Sequence, residues 1–313
     1  MNLTVKLGKL KLKNPVTVAS GTFGYAKEFA DLVDLKSIGA IITKTITVKP
    51  RLGNPPPRLA ETASGMLNAI GLQNEGVDNF ILEKLPLLKK IGTEIIPSIS
   101  ATIEKDFIYL VQILEDVGVK CVEVNLSCPN IKYESKVKTK KPGIFRTKAF
   151  AQDAQATYDV IKKLRKRTKL NLIVKLSPNV TDIVEIAQSA EAAGADALSL
   201  VNTFLGMAID INTRSPKIAN ITAGLSGPAI KPLAVRMVYD AAHSVNIPVL
   251  GMGGIMNTED ALEFIIAGAS AISVGTANFV NPKASVEIIN GLKEYGRKNK
   301  IKDIRELVGS MVC

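Results

Sequence analysis

The chain has 313 residues, 46% of them hydrophobic, enough to bury a large core either as two ordinary domains or as one α/β barrel. No apolar stretch approaches the roughly 18 residues of a membrane span, the N-terminus lacks a signal-peptide layout, and Cys121, Cys128 and Cys313 are too few and too scattered for a disulfide framework or a Cys-x-x-Cys metal site. The expectation is a soluble, cytoplasmic protein with no structural metal and no membrane contact. The formal charge is +11. Its basic run Lys162 to Lys169 falls where a helix should end and has no aromatic residues to stack bases, so it reads as a solvated helix terminus and not a nucleic-acid site.

The opening Leu3 to Leu12 alternates about Gly8-Lys9 and predicts a hairpin that plugs the bottom of the fold. Val16 to Ala19 is the first strand candidate. Four later segments share a shape, a glycine where a helix would end and then a short apolar run: Gly39 to Lys44, Gly118 to Asn125, Gly194 to Asn202 and Gly268 to Gly275. Their glycines lie 79, 76 and 74 residues apart, each where a left-handed residue would close a helix. Each run suits a strand buried on both faces. One more strand candidate falls between consecutive members: Ile95 to Ile99, Leu172 to Lys175, and Ile247 to Gly251. Helical patterns fill the gaps, over Phe107 to Val117, Ala149 to Arg165, Val180 to Ala193, Pro228 to Ala242 and Thr258 to Ala267, the last capped by Asn257 or Thr258.

Eight alternating β–α units make the fold class α/β, a (β/α)8 TIM barrel over residues 1–313 as a single domain, in preference to an open doubly wound sheet. The connections after strands 2, 4 and 6 are longer than a barrel needs, and such excursions at a barrel top cover or line a site. The one after strand 4 carries the basic run Lys132 to Lys148, which by default is a solvated loop but could steer an anionic substrate or meet an acidic partner.

The strand ends gather an unusually polar rim: Ser20, Lys44 with Thr45, Ser98, Asn125, Lys175, Asn202 with Thr203, Gly253-Gly254 and Gly275-Thr276. Glycines after strands 7 and 8, helped by Ser226-Gly227, offer bare backbone N–H groups where this fold places a phosphate. That phosphate belongs to a substrate or to a cofactor, and FMN fits. Lys175 and Lys44 would meet the negative charge of a reduced flavin, and Ser20 and Thr45 would bond its ring. Neither lysine has an acidic neighbour in sequence, so a charged ligand is the expected partner of both. Asn68, Asn125, Asn130 and Asn202 would hold a planar, amide-rich molecule such as a pyrimidine.

The lone histidine, His243, sits on the back half of a helix, so proton transfer must fall to Cys, Lys or a carboxylate. The motif Asn125-Leu-Ser-Cys-Pro-Asn130 serves equally as a strand-ending turn or as a site for Cys128 as base.

Over nearly its full length the chain resembles the class 1 dihydroorotate dehydrogenases, in particular the NAD-linked B-type catalytic subunits. The residues carrying the resemblance are Asn125 to Asn130, Met66 to Asn74, Val174 to Asp182, Leu225 to Pro232 and Gly251-Met-Gly-Gly254. The resemblance implies that Cys128 is the base. It implies that Lys44, the run Asn68, Ala69, Ile70, Gly71 and Leu72, and Asn125, Asn130, Asn202 and Thr203 hold dihydroorotate or orotate. FMN would be held by Ser20, Lys44, Thr45, Ser98, Asn125, Lys175, Val201, Gly227, Gly253, Gly254, Gly275 and Thr276. It further implies a partner subunit carrying FAD and a [2Fe-2S] cluster that passes electrons to NAD, and a homodimer of catalytic subunits within a heterotetramer.

Two departures stand out. Ser98 occupies a place where the family usually has Asn, and a lysine-rich segment follows Asn130 where the family has a glycine-rich lid. Alternatives are a fumarate-linked enzyme, another dihydropyrimidine dehydrogenase, a non-redox phosphate-binding barrel and a tRNA-dihydrouridine synthase. Against the last, few residues follow the eighth unit to build an RNA-gripping domain.

Overall fold

The computed structural model describes residues 1–126 and 150–312. In chain order, β1 (Val5–Leu7) and β2 (Leu10–Leu12) form an antiparallel hairpin, and β3 (Val16–Val18) and β4 (Ala40–Ile42) begin a parallel sheet. β5 (Leu59–Thr62) and β6 (Gly65–Asn68) leave it as an antiparallel pair. β7 (Glu94–Ile96), β8 (Ser98–Ile99), β9 (Cys121–Asn125), β10 (Asn171–Lys175) and β11 (Ala197–Leu200) return to it. Four short strands follow outside, β12 (Phe204–Gly206), β13 (Ile209–Asp210), β14 (Ser215–Pro216) and β15 (Ala223–Ser226). β16 (Val249–Met252) and β17 (Ala271–Val274) complete the parallel set.

The parallel order is β7-β4-β3-β17-β16-β11-β10-β9-β8. Its two ends are halves of one strand broken at Pro97, whose ring leaves no N–H for a ladder. β7 pairs with β4 and β8 with β9, so the ring closes through the broken strand. Counted that way the sheet has eight staves, the (β/α)8 barrel that the repeat predicts.

Strands β9, β10, β11, β16 and β17 are buried at every residue, because side chains on one face fill the barrel and those on the other meet helices. The helix Glu104–Asp116 shows the matching stripe, burying Phe107, Leu110, Val111 and Leu114. Helix starts are set by caps. Asp153 accepts from the N–H of Ala156, Asp182 from that of Val184 and Asn257 from that of Asp260, so the helices begin at Ala154, Ile183 and Thr258. Of these, the first two start inside the spans predicted from Ala149 and Val180.

Gly118, Gly194 and Gly268 adopt φ of 79°, 103° and 121°, the left-handed helix ends that their spacing predicts. Gly39 does not. It follows a short 3₁₀ turn and the extended Ile38, and it is glycine because a Cβ there would collide with the carbonyl oxygen of Asn14. The same residue type thus answers a steric demand at Gly39 and a dihedral one at the other three.

The hairpin covers the barrel's lower end. Leu7 and Leu12 are fully buried, and Asn171, at the bottom of β10, accepts from the N–H of Lys9 (2.7 Å) and donates to the Leu7 carbonyl (3.1 Å). At the other end, the excursions after β4 and β11 combine into one four-stranded antiparallel sheet, β12-β15-β6-β5. It has its own small core of Leu67, Ala69, Ile218 and Ala223. The predicted long connection after strand 4 falls mostly outside the described residues. Among the described residues no helix is long and apolar enough to cross a membrane.

Candidate active site

A cavity of about 320 Å³ opens at the C-terminal ends of the barrel strands, roofed by the antiparallel sheet. Such a place and size are usual for a small-molecule site in this fold. Ser20 reaches it from the loop after β3, and Lys44 and Thr45 from the loop after β4. Asn125 and Lys175 enter from the last residues of β9 and β10, and Val201, Asn202 and Thr203 follow β11. The roof contributes Asn68 from β6 and then Ile70, Gly71 and Leu72. Gly227, Gly253-Gly254 and Gly275-Thr276 close the far side.

Two sequence-predicted residues do not line it. Ala69 is fully buried and packs in the small core of the roof. Ser98 is fully buried beneath the floor, where its hydroxyl bonds Thr45 Oγ1 (3.0 Å) and donates to Glu123 Oε1 (3.0 Å). Cys128 and Asn130 lie outside the described residues.

The two lysines have different settings. Half-burial, and next the Arg58 guanidinium, lower the pKa of Lys44 from its ordinary 10.5, while Glu28 and Glu75 oppose them. Lys175 corrects the expectation that neither lysine has a carboxylate partner: its Nζ lies 3.7 Å from Oε1 of Glu123. Glu123 is fully buried and also accepts from Ser199 Oγ at 3.1 Å. The floor of the cavity is therefore a paired charge held within a hydroxyl network.

The glycine side has the form of a cradle for an anionic tail. Gly227, Gly253 and Gly254 have φ of 96°, 130° and 82°, conformations that glycine alone takes easily. At Gly275 a Cβ would meet nothing closer than 3.7 Å, so the missing side chain leaves room in the cavity itself. Thr276 Oγ1 donates to Ser226 Oγ at 2.8 Å and ties the two edges of the cradle together. At the opposite end, amide side chains and the two lysines suit a planar heterocycle bearing negative charge.

Sequence reading missed several members of the site. Arg58 lines the cavity, anchored by a 2.6 Å bond to Gln73 Oε1, and it arrives through the roof strand β5, whose pairing no local signal announces. Ser273 lines the cavity from β17, and its buried Oγ has no hydrogen-bond partner among the described residues. Glu123 was hidden inside a run whose apolar neighbours mark it only as a buried strand.

A family model described as dihydroorotate dehydrogenase matches residues 2–295. The chain is similar to proteins named dihydroorotate dehydrogenase B (NAD(+)), catalytic subunit, from several bacteria. The relative from Thermoanaerobacter sp. (strain X514) is 51% identical over 311 residues, 99% of either chain. That from Desulforamulus reducens is 52% identical over 311 residues, 99% of this chain and 98% of its own. That from Geotalea uraniireducens is 51% identical over 312 residues with the same coverage. A match of this extent, on a barrel whose cavity gathers amides, lysines and bare glycine backbone at one rim, leads to one conclusion: the chain belongs to the dihydroorotate dehydrogenase family.

Proposed function

We propose that this chain is the catalytic subunit of an NAD-linked dihydroorotate dehydrogenase, one FMN-binding domain that oxidises (S)-dihydroorotate to orotate in pyrimidine biosynthesis, in the cytoplasm. The observation that carries the reading is that Lys44, Asn68, Asn125, Lys175 and Asn202 converge on one cavity whose opposite side is a glycine cradle. Names of the relatives support the B type.

The residues divide the work by chemistry. Gly227, Gly253, Gly254, Gly275 and Thr276 would hold the phosphate of FMN through backbone N–H groups. Ser20, Thr45, Asn125, Lys175 and Val201 would hold its ring, and Ser98 would support Thr45 from below. FMN, when bound, supplies the hydride acceptor. Lys44 would meet the substrate carboxylate, and the amides of Asn68, Asn125, Asn130 and Asn202 would fix the pyrimidine in its plane. Ala69, Ile70, Gly71, Leu72 and Thr203 would shape the same pocket. Cys128 would take the carbon-bound proton as thiolate, so that the C–H bond breaks with its electron pair left for the new ring double bond. A partner with FAD and a [2Fe-2S] cluster would carry electrons on to NAD, in a heterotetramer built on a pair of catalytic subunits.

The test is Cys128→Ala. That variant should keep bound FMN and orotate affinity but lose bleaching of the flavin by dihydroorotate by at least about 100-fold, the low end of general-base contributions. Bleaching at near the native rate would refute the assignment.

A further inference from the structure

Beneath the cavity floor lies a carboxylate that the proposed reaction does not use. Glu123 is fully buried in β9, and it does not line the cavity. Its two oxygens are engaged on separate sides, Oε1 by Ser98 Oγ (3.0 Å) and Oε2 by Ser199 Oγ (3.1 Å). Oε1 also faces the Lys175 ammonium at 3.7 Å, and Lys175 does line the cavity. A buried carboxylate is kept only where charge and hydrogen bonds compensate it, and this one has both.

An ionised carboxylate accepts and cannot donate. That fixes the sense of every bond above it. Ser98 spends its single hydroxyl hydrogen on Glu123, so in the 3.0 Å contact with Thr45 Oγ1 the hydrogen must come from Thr45. Thr45 then has none left for Ser20, so in their 3.0 Å contact Ser20 donates. Asn125 Nδ2 also gives to Thr45 Oγ1, at 3.4 Å. With its hydrogen turned inward, Ser20 offers the cavity lone pairs only. One buried charge thereby sets two features of the rim, a cation at Lys175 and an acceptor at Ser20.

We propose that Glu123 is a positioning residue of the flavin site, acting through Lys175 and through the Ser20, Thr45 and Ser98 hydroxyls without touching the ring. It holds the ammonium at the floor and offsets part of its charge, so that Lys175 stabilises the electron-rich form of the ring less than an unpaired ammonium would. The inference rests on the flavin reading above. Protein that binds no FMN would end that reading, whereas FMN-loaded wild type with an unmoved potential in the variant ends this proposal alone.

The experiment is an anaerobic redox titration of FMN-loaded protein against a reference dye. Glu123→Gln should raise the two-electron midpoint potential, shifting the ratio of reduced to oxidised flavin at least tenfold, about 30 mV. In a Lys175→Gln background the same substitution should shift that ratio less than threefold. A shift below threefold in the single variant, or an undiminished one in the Lys175→Gln background, would overturn the proposal. Should Glu123→Gln alone fail to fold because it strands a buried ammonium, the double variant removes both charges and is compared with Lys175→Gln: equal potentials support the proposal and a tenfold gap overturns it. The hydroxyl arm is read through Ser98→Ala, which cuts the chain and leaves both charges. FMN should bind several-fold more weakly to that variant, and unchanged affinity would remove the arm.

Discussion

On the proposed reading Lys44 faces two demands at once: it must stay charged to meet an anionic substrate, and it stands half-buried beside another cation. Burial first and Arg58 second draw its pKa below 10.5, so it loses its proton sooner than an ordinary lysine as pH rises. Orotate affinity should therefore fall along an alkaline limb that lies below 10.5. Arg58→Met takes away one of the two lowering influences, and the limb should move to higher pH, whatever happens to affinity on the plateau. Equilibrium titrations of the flavin absorbance with orotate from neutral to alkaline pH check this, and a limb that stays put would show that Arg58 does not act on Lys44. A second residue-scale expectation concerns Cys121. Burial pushes its thiol up to about 12, with Asn171 Nδ2 donating to its sulfur at 3.1 Å. Iodoacetamide at pH 8 should leave Cys121 unlabelled in native protein and label it in urea, read by peptide mass mapping. Labelling without denaturant would mean that β9 opens. Much of the rim was legible in residue types at strand ends, since polar side chains there have little structural use. The Lys175 to Glu123 contact was not. It depends on the register that sets Lys175 beside Asn125 and Ile173 beside Glu123, and register is invisible in either segment alone.

At the level of elements, the repeat of glycine, apolar run and polar end made four strands readable and bracketed the other four, short apolar runs before and between them, because a doubly buried strand recurs in every β–α unit. What the pattern did not carry was the roof. β6 pairs with β15 through Leu67 opposite Leu225, two excursions from distant parts of the chain, and each half alone reads as an irregular loop. Nor did it show why Gly39 is glycine. Gly39→Ala would press a methyl against the carbonyls of Asn14 and Val16, both backbone and unable to rotate away. The cost should be about 1–3 kcal/mol, seen as a lower urea midpoint with an unchanged slope. A neutral result would mean that the Asn14 to Val16 segment moves freely. Asn171 joins hairpin and barrel with bonds to Lys9 and Leu7. Its replacement by Ala should cost about 1–3 kcal/mol through buried groups left unsatisfied. FMN affinity should stay as in wild type, since the cavity is at the other end of the strands, and a loss of FMN in folded Asn171→Ala protein would show that the two ends are coupled.

For the molecule as a whole, the question is where electrons go after the substrate has given them up. All the chemistry-bearing groups described open at one end of the barrel, and the 313 residues hold three cysteines, one fewer than the four thiolates of an ordinary iron–sulfur cluster. Cys121 is moreover buried in β9 and bonded to Asn171, which leaves two at most for any other purpose. On the proposed reading this chain takes electrons from dihydroorotate and must pass them to a second protein that docks near the mouth. The FMN-loaded chain alone, kept anaerobic, should then be bleached by about one equivalent of dihydroorotate and stay bleached when NAD is added. Colour should return only when the iron–sulfur and FAD subunit from the same source is supplied, followed in a stopped-flow spectrophotometer at the flavin band. Rapid return with NAD alone would refute the need for that partner, and rapid return with fumarate alone would move the chain to the fumarate-linked branch of its family.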